Sequence, residues 1–204
     1  MYSENQWKKH FQGYVFDLDG TLFRIGVDWA KVRSKVGAII GRSDEFPIFP
    51  TLEKTLALQP ELKPQLFALL DSEEMLALDS VEPVEGALKI VKSLTASAKV
   101  GMVTMQGRRI CHSILKHFNV FQDFDIILTR EDSLNRRIQI ELAIDGLKLS
   151  PEDTLVVGDK ISDGQAAVDA GASGVVVGKG SGEIAHNGKR FLLTRNLLEI
   201  FGNS

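Results

Sequence analysis

A single cysteine, Cys111, stands among 204 residues, which excludes an intrachain disulfide framework and a structural zinc site built on several thiolates. No block of Lys and Arg and no basic stripe interleaved with aromatics is present, so the sequence gives no basis for a nucleic-acid partner. No apolar run is long enough to span a bilayer, and the opening MYSENQWKKHFQG lacks the apolar centre of a signal peptide. The expectation is a cytoplasmic protein in a reducing compartment, with no nucleic-acid or membrane partner. What is present is ordinary for a globular chain: 44% hydrophobic residues, 25% charged residues and a formal net charge of −3. That length suits one compact domain, or a core domain with a smaller one inserted.

Five short apolar runs recur: Tyr14 to Leu18, Lys99 to Thr104, Asp125 to Thr129, Thr154 to Gly158 and Gly174 to Val177. Runs such as TLVVG and GVVVG are apolar at every position, as strands covered on both faces require. The later runs alternate with helical patterns at Pro83 to Ala96, Arg108 to Phe118 and Ser162 to Ala170. This alternation predicts an α/β fold, a Rossmann-like open parallel sheet. Between the first two strands lies a stretch too long for one crossover. Trp29, Val32, Val36 and Ile39 recur there at helical spacing, as do Leu62, Leu66 and Leu69, with FPIFP breaking the pattern between them. Residues 26–80 are therefore expected to form a small inserted helical domain, with 1–25 and 81–204 forming the core and Pro83 opening the returning helix.

The first strand runs into YVFDLDGTL, with Asp17 and Asp19 two residues apart where the chain leaves the sheet. Extended geometry puts both on one side. Adjacent carboxylates repel, and a hard oxygen-seeking cation such as Mg²⁺ relieves that repulsion. After the second strand comes Thr104, followed by Gly107, which can open a helix with anion-attracting N–H groups. The fourth strand ends in LVVGDKISDG, with Asp159 and Asp163 four residues apart. In an open α/β sheet these strand ends line one crevice. The histidines His10, His112, His117 and His186 show no ligand spacing and are given no metal role. GKGSGE at Gly178 to Glu183 lacks the Lys-Ser/Thr of a nucleotide loop and reads as a surface connection after the last strand.

Asp17-Leu18-Asp19-Gly20-Thr21 resembles the DxDGT motif of the haloacid dehalogenase superfamily, and the helical insertion resembles the caps of its phosphoglycolate-phosphatase-like members. The resemblance covers the chain from Tyr14 onward. It implies a Mg²⁺-dependent phosphatase acting on a small phosphorylated metabolite. Asp17 would be the nucleophile, Asp19 the general acid and base, and Thr104 a hydrogen-bond partner of the phosphoryl group. Asp159 and Asp163 would join Asp17 and Asp19 at the metal, with Asp163 acting through water or orienting Lys160. The family's usual lysine is absent, since no lysine precedes Lys148 in TREDSLNRRIQIELAI, so Arg136 or Arg137 would take its place. Arg136 is favoured, ahead of a helix whose Ile138, Leu142 and Ile144 are expected to face the core. Arg24, Arg33, Arg42 and the aromatics around Phe46 are candidate substrate readers. A phosphomutase, a dehalogenase and a catalytically silent binding member share most of these motifs, although a dehalogenase has no use for Asp19.

Overall fold

The computed structural model describes residues 10–202. Its centre is a seven-stranded sheet in the order β5-β4-β1-β6-β7-β9-β8. The strands are β1 (Gly13–Phe16), β4 (Lys99–Val103), β5 (Ile126–Leu128), β6 (Thr154–Gly158), β7 (Ser173–Val177), β8 (Gly182–His186) and β9 (Lys189–Thr194). All neighbours run parallel except β8 and β9.

Alternation along the strands sorts side chains to two faces. Tyr14, Phe16, Val100, Met102, Leu155 and Val157 pack with α4 (Ala87–Leu94) and α5 (Arg108–His117). Val15, Val103 and Val156 pack on the other face with α6 (Arg136–Leu147) and α7 (Ile161–Asp169). Covering both faces is why the strands read as continuous apolar runs. The chain proceeds from β1 to β4 and β5 on one side and then crosses to β6 and β7 on the other. The carboxyl end of β1 is thus the point where the winding reverses, and a crevice opens there.

Two short strands, β2 (Phe23–Arg24) and β3 (Glu82–Pro83), pair antiparallel and bring the ends of the intervening segment together. Between them lie α1 (Trp29–Ile40), α2 (Ile48–Leu58) and α3 (Lys63–Met75), which share an apolar cluster of Val32, Val36, Phe46, Ile48, Leu52, Leu66 and Leu70. FPIFP does more than interrupt. Pro47 is the N-cap of α2 and Pro50 falls in its first turn, where a missing N–H costs nothing. Pro83 does not open a helix: it pairs with Phe23, the next amide bonds Leu22, and α4 begins only after Gly86. The fixed proline φ suits an edge strand as well as a helix start.

The sheet also continues beyond Val177. Gly178 to Ser181 is a connection, but β8 and β9 follow it as a hairpin closed by Asn187-Gly188. Both turn residues have positive φ, at 48° and 77°, which matches the twist of a two-residue turn and is tolerated by Asn and Gly. Among the described residues no helix is long and apolar enough to cross a membrane.

Candidate active site

Three strand ends deliver the expected side chains to one place. Asp17 follows β1, Thr104 follows β4 and Asp159 follows β6; these are adjacent strands in the order β4-β1-β6. Asp163 joins them from the first turn of α7, where its Oδ2 accepts a hydrogen bond from the Lys160 amide at 3.0 Å. Carboxylate oxygens of Asp17, Asp159 and Asp163 lie within 4.8 Å of one another. Gly20 makes that convergence possible. Its φ is +87°, and a Cβ there would sit 2.5 Å from the Asp159 carboxyl carbon. Gly20→Ala should therefore destabilise the fold by about 1–2 kcal/mol through backbone strain alone. It should also weaken divalent-cation binding by displacing Asp159, which calorimetry of the purified variant would measure.

Arg136 opens α6, whose first turn is capped by Asn135. Its guanidinium donates to Asp17 Oδ1 at 2.7 Å and to the Val103 carbonyl at 2.8 Å, and its Nε lies 3.1 Å from Asp163 Oδ1. Arg137 points elsewhere and forms an exposed pair with Glu141 at 3.0 Å. The inward face of α6 is Gln139, Ile140, Ala143, Ile144 and Leu147, while Ile138 and Leu142 are 41% and 42% exposed. The helix is rotated from the expected setting because Arg136 and Gln139 occupy its inward face near the crevice. Gln139, fully buried, donates to the carbonyls of Thr104 and Ser133, both at 2.9 Å.

Burial raises the pKa of Asp17; Arg136 opposes the shift and Asp163 adds to it. Burial likewise raises Asp159, against the pull of Lys160. Lys160 itself is held protonated: burial disfavours its charge, but Asp17, Asp159 and Asp163 outweigh that cost. Asp17 Oδ2 and Asp159 Oδ1 are buried without a hydrogen-bond partner. Two orphaned anionic oxygens inside a triad of carboxylates are the donor set a hard divalent cation takes, so the residues present fit Mg²⁺.

The Asp19 carboxylate, expected among the metal ligands, stands outside this triad. Its Oδ1 accepts from the Ile25 amide at 3.0 Å and its Oδ2 from Gln106 Nε2 at 3.4 Å. Burial also raises its pKa, with the Ile25 amide opposing. Thr104 lines the cavity, and its hydroxyl accepts from the Gln106 amide at 3.0 Å. At the N-terminus of α5 the Gly107 amide bonds Glu74 and the Arg108 amide bonds Glu131, so these two donors are already used.

Gln106 and Gln139 are supporting residues that the sequence reading passed over, and Arg130 is a third. Arg130 is 1% exposed and is held by Glu74 and Asp71 of α3, while it also donates to the Met105 carbonyl at 3.3 Å. Glu74 in turn holds the Gly107 amide, so this cluster fixes the loop that carries Gln106 to Asp19. The signal was a carboxylate, Glu74, continuing the buried row of Leu66 and Leu70 at helical spacing. Arg130→Met should cost about 3–5 kcal/mol, because it strands Glu74 without its cation. The corresponding fall in Tm is about 6–20 °C. Adding Glu74→Leu should restore part of it, and no recovery would show that the loss lies in packing.

The crevice continues into a cavity of about 620 Å³ that reaches from Asp17 to α1 and α2. A larger depression, about 860 Å³, lies at the amino ends of β1 and β4 beside Gln12, Lys99 and Asp125, and is lined by none of Asp17, Asp19, Thr104, Arg136, Asp159 and Asp163.

Known proteins resemble this arrangement. The family model described as haloacid dehalogenase-like hydrolase matches residues 50–177. The pyrophosphatase PpaX of Halalkalibacterium halodurans is 29% identical over 176 residues, covering 80% of this chain and 82% of that protein. A haloacid dehalogenase-like family hydrolase from Streptococcus pneumoniae superposes with a TM-score of 0.66 at 16% identity, over 94% of this chain and 97% of that one. YfnB from Bacillus subtilis, solved bound to magnesium, gives 0.57 at 15% identity over 95% and 98%.

Proposed function

This chain belongs to the haloacid dehalogenase-like hydrolase family, and on that premise we propose that it is a Mg²⁺-dependent phosphatase that hydrolyses a small phosphate monoester through an aspartyl-phosphate on Asp17. The observation that carries this reading is the pairing of one Asp17 oxygen with Arg136 while the other, Oδ2, is left without a hydrogen-bond partner. Oδ2 is then available to the cation, and Oδ1, oriented by Arg136, is the oxygen left to attack phosphorus. Asp17, Asp159 and Asp163 would hold Mg²⁺, which when bound supplies positive charge to neutralise the phosphoryl oxygens.

Arg136, fixed between Asp17, Asp163 and the Val103 carbonyl, neutralises the nucleophile and meets the charge that develops on the transferring group. Thr104 donates a hydrogen bond from its hydroxyl to a phosphoryl oxygen. Asp19, positioned by Gln106 and the Ile25 amide, carries a proton to the leaving oxygen and then withdraws one from the water that hydrolyses the aspartyl-phosphate. Its raised pKa favours the protonated form needed for the first of these steps. Residues 26–80, with their own apolar cluster, act as a cap that keeps bulk water from the reacting atoms and contacts the leaving group.

The test is hydrolysis of an aryl phosphate in Mg²⁺ and in EDTA, with phosphate release measured. Turnover in Mg²⁺ that EDTA abolishes is expected; rates indifferent to EDTA would overturn the metal assignment. Release of free phosphate, not its transfer to a sugar hydroxyl, separates this reading from a phosphomutase. Saturating Mg²⁺ should also raise Tm by several degrees, since a ligand at about 100 times its Kd stabilises by about 2.7 kcal/mol. Asp159→Asn should remove most of that rise.

A further inference from the structure

The cavity that receives the leaving group has a composition of its own. Its apolar lining is built from Trp29, Pro47, Ile48, Phe49, Met105 and Leu134. Trp29 and Phe49 meet edge to face, with ring centroids 5.7 Å apart and planes at 73°, and both are half-buried, leaving part of each ring to the cavity. Aromatic rings held in this way offer an apolar surface to a planar or aliphatic body.

The cations that line the cavity are Arg33, Arg136, Arg137 and Lys160, and each lies within ion-pair distance of a carboxylate. Arg136 serves Asp17 and Asp163, Arg137 pairs with Glu141, and Lys160 lies 3.7 Å from Asp159 within the carboxylate cluster. Arg33 is the one cation contributed by α1 and α2. Its Nε donates to the Phe46 carbonyl at 2.9 Å and its Nη1 lies 3.1 Å from Glu45, so its fork is turned to its own segment. The same side contributes a carboxylate, Glu53, held by Asn135 Nδ2 at 2.9 Å. A second phosphate or a carboxylate on the leaving group would face apolar carbon and the Glu53 carboxylate on this side, where the lining cation Arg33 is turned to Glu45 and the Phe46 carbonyl. Such an arrangement rejects anionic leaving groups as much as it attracts apolar ones.

From this juxtaposition of an aromatic wall, paired cations and an inward carboxylate, we propose that the substrate is an organic phosphate monoester whose leaving group is uncharged and presents an apolar, ring-sized body to Trp29 and Phe49, with a hydroxyl able to donate to Glu53. This specificity rests on the phosphatase reading above and narrows it, setting inorganic pyrophosphate and phosphoglycolate aside as poor substrates.

The test compares kcat/KM, in Mg²⁺, for 2-phenylethyl phosphate, 2-phosphoglycolate, inorganic pyrophosphate and the activated ester p-nitrophenyl phosphate. 2-Phenylethyl phosphate should exceed both phosphoglycolate and pyrophosphate by at least about tenfold, the range one apolar contact set provides. Trp29→Ala should collapse that ratio, and Phe49→Leu serves the same purpose should the first variant fold poorly. Glu53→Lys should move the ratio toward the anionic substrates. A wild-type preference for phosphoglycolate or pyrophosphate, or a ratio unmoved by these variants, overturns the specificity. Should p-nitrophenyl phosphate be hydrolysed while the anionic substrates are preferred, only the specificity falls. Absence of turnover with all four sinks the phosphatase reading and the specificity with it.

Discussion

Asp17→Asn is expected to abolish turnover, by at least about 10⁴-fold, while making the metal-free protein more stable. The first effect follows from removing the nucleophile, for which no neighbouring group substitutes. The second follows from the charges around it. In the wild type Asp17, Asp159 and Asp163 crowd around Arg136 and Lys160, with Lys179 also acting on Asp159, and burial penalises the Asp17 charge further. An amide removes one of the three crowded carboxylate charges. Relief of about 1 kcal/mol would raise Tm in EDTA by about 2–4 °C. The sign of the pH dependence is fixed as well. Because the folded-state pKa of Asp17 is raised, the fold binds a proton more tightly than the unfolded chain does. The stability linked to that proton is fully present below the unfolded value of about 3.9. It is lost as pH rises through the folded one. The Tm advantage of the variant should therefore widen with increasing pH. A variant less stable than wild type in EDTA would mean that the Arg136 pair outweighs the carboxylate repulsion.

Arg136→Ala should lower kcat/KM by about 10²–10³-fold, the usual cost of losing a preorganised charge at a transition state. Arg137→Ala should stay within about twofold, since its partner Glu141 is on the surface and such pairs contribute little. Arg136→Lys should fall between, because an ammonium supplies charge but cannot span Asp17, Asp163 and the Val103 carbonyl together. Steady-state kinetics on the three variants decides the order; the reverse ranking would place the neutralising cation at Arg137.

The crevice was legible in the sequence because each of its acids directly follows an apolar strand or opens the next helix, so motif and topology coincide at Asp17, Thr104, Asp159 and Asp163. The parallel core was legible for a related reason: strands buried on both faces leave uninterrupted apolar runs. Where polar groups turn inward, the pattern misled. Arg136 and Gln139 face inward on α6, so Ile138 and Leu142 face solvent although periodicity alone placed Ile138 and Leu142 in the core. Long-range partners left little trace. Arg130 lies 56 residues from Glu74 and 59 from Asp71, and only the fold brings them together. The β8–β9 hairpin did carry a local signal in Asn187-Gly188, but KRFLLT is short and begins with the exposed Lys189 and Arg190, so it leaves no continuous apolar run. The position of the Asp19 carboxylate was not legible from spacing along the strand: the chain turns at Gly20, and the carboxylate lies outside the triad, hydrogen-bonded by the Ile25 amide and Gln106.

The most direct measurement is an acid quench of the enzyme during turnover of a phosphate ester labelled in its phosphoryl group, followed by peptide mapping. The account expects the label on Asp17 as a hydroxylamine-labile acyl phosphate, absent from Asp17→Asn and from samples in EDTA. Rapid turnover with no labelled protein at any time, or label on another residue, would contradict it.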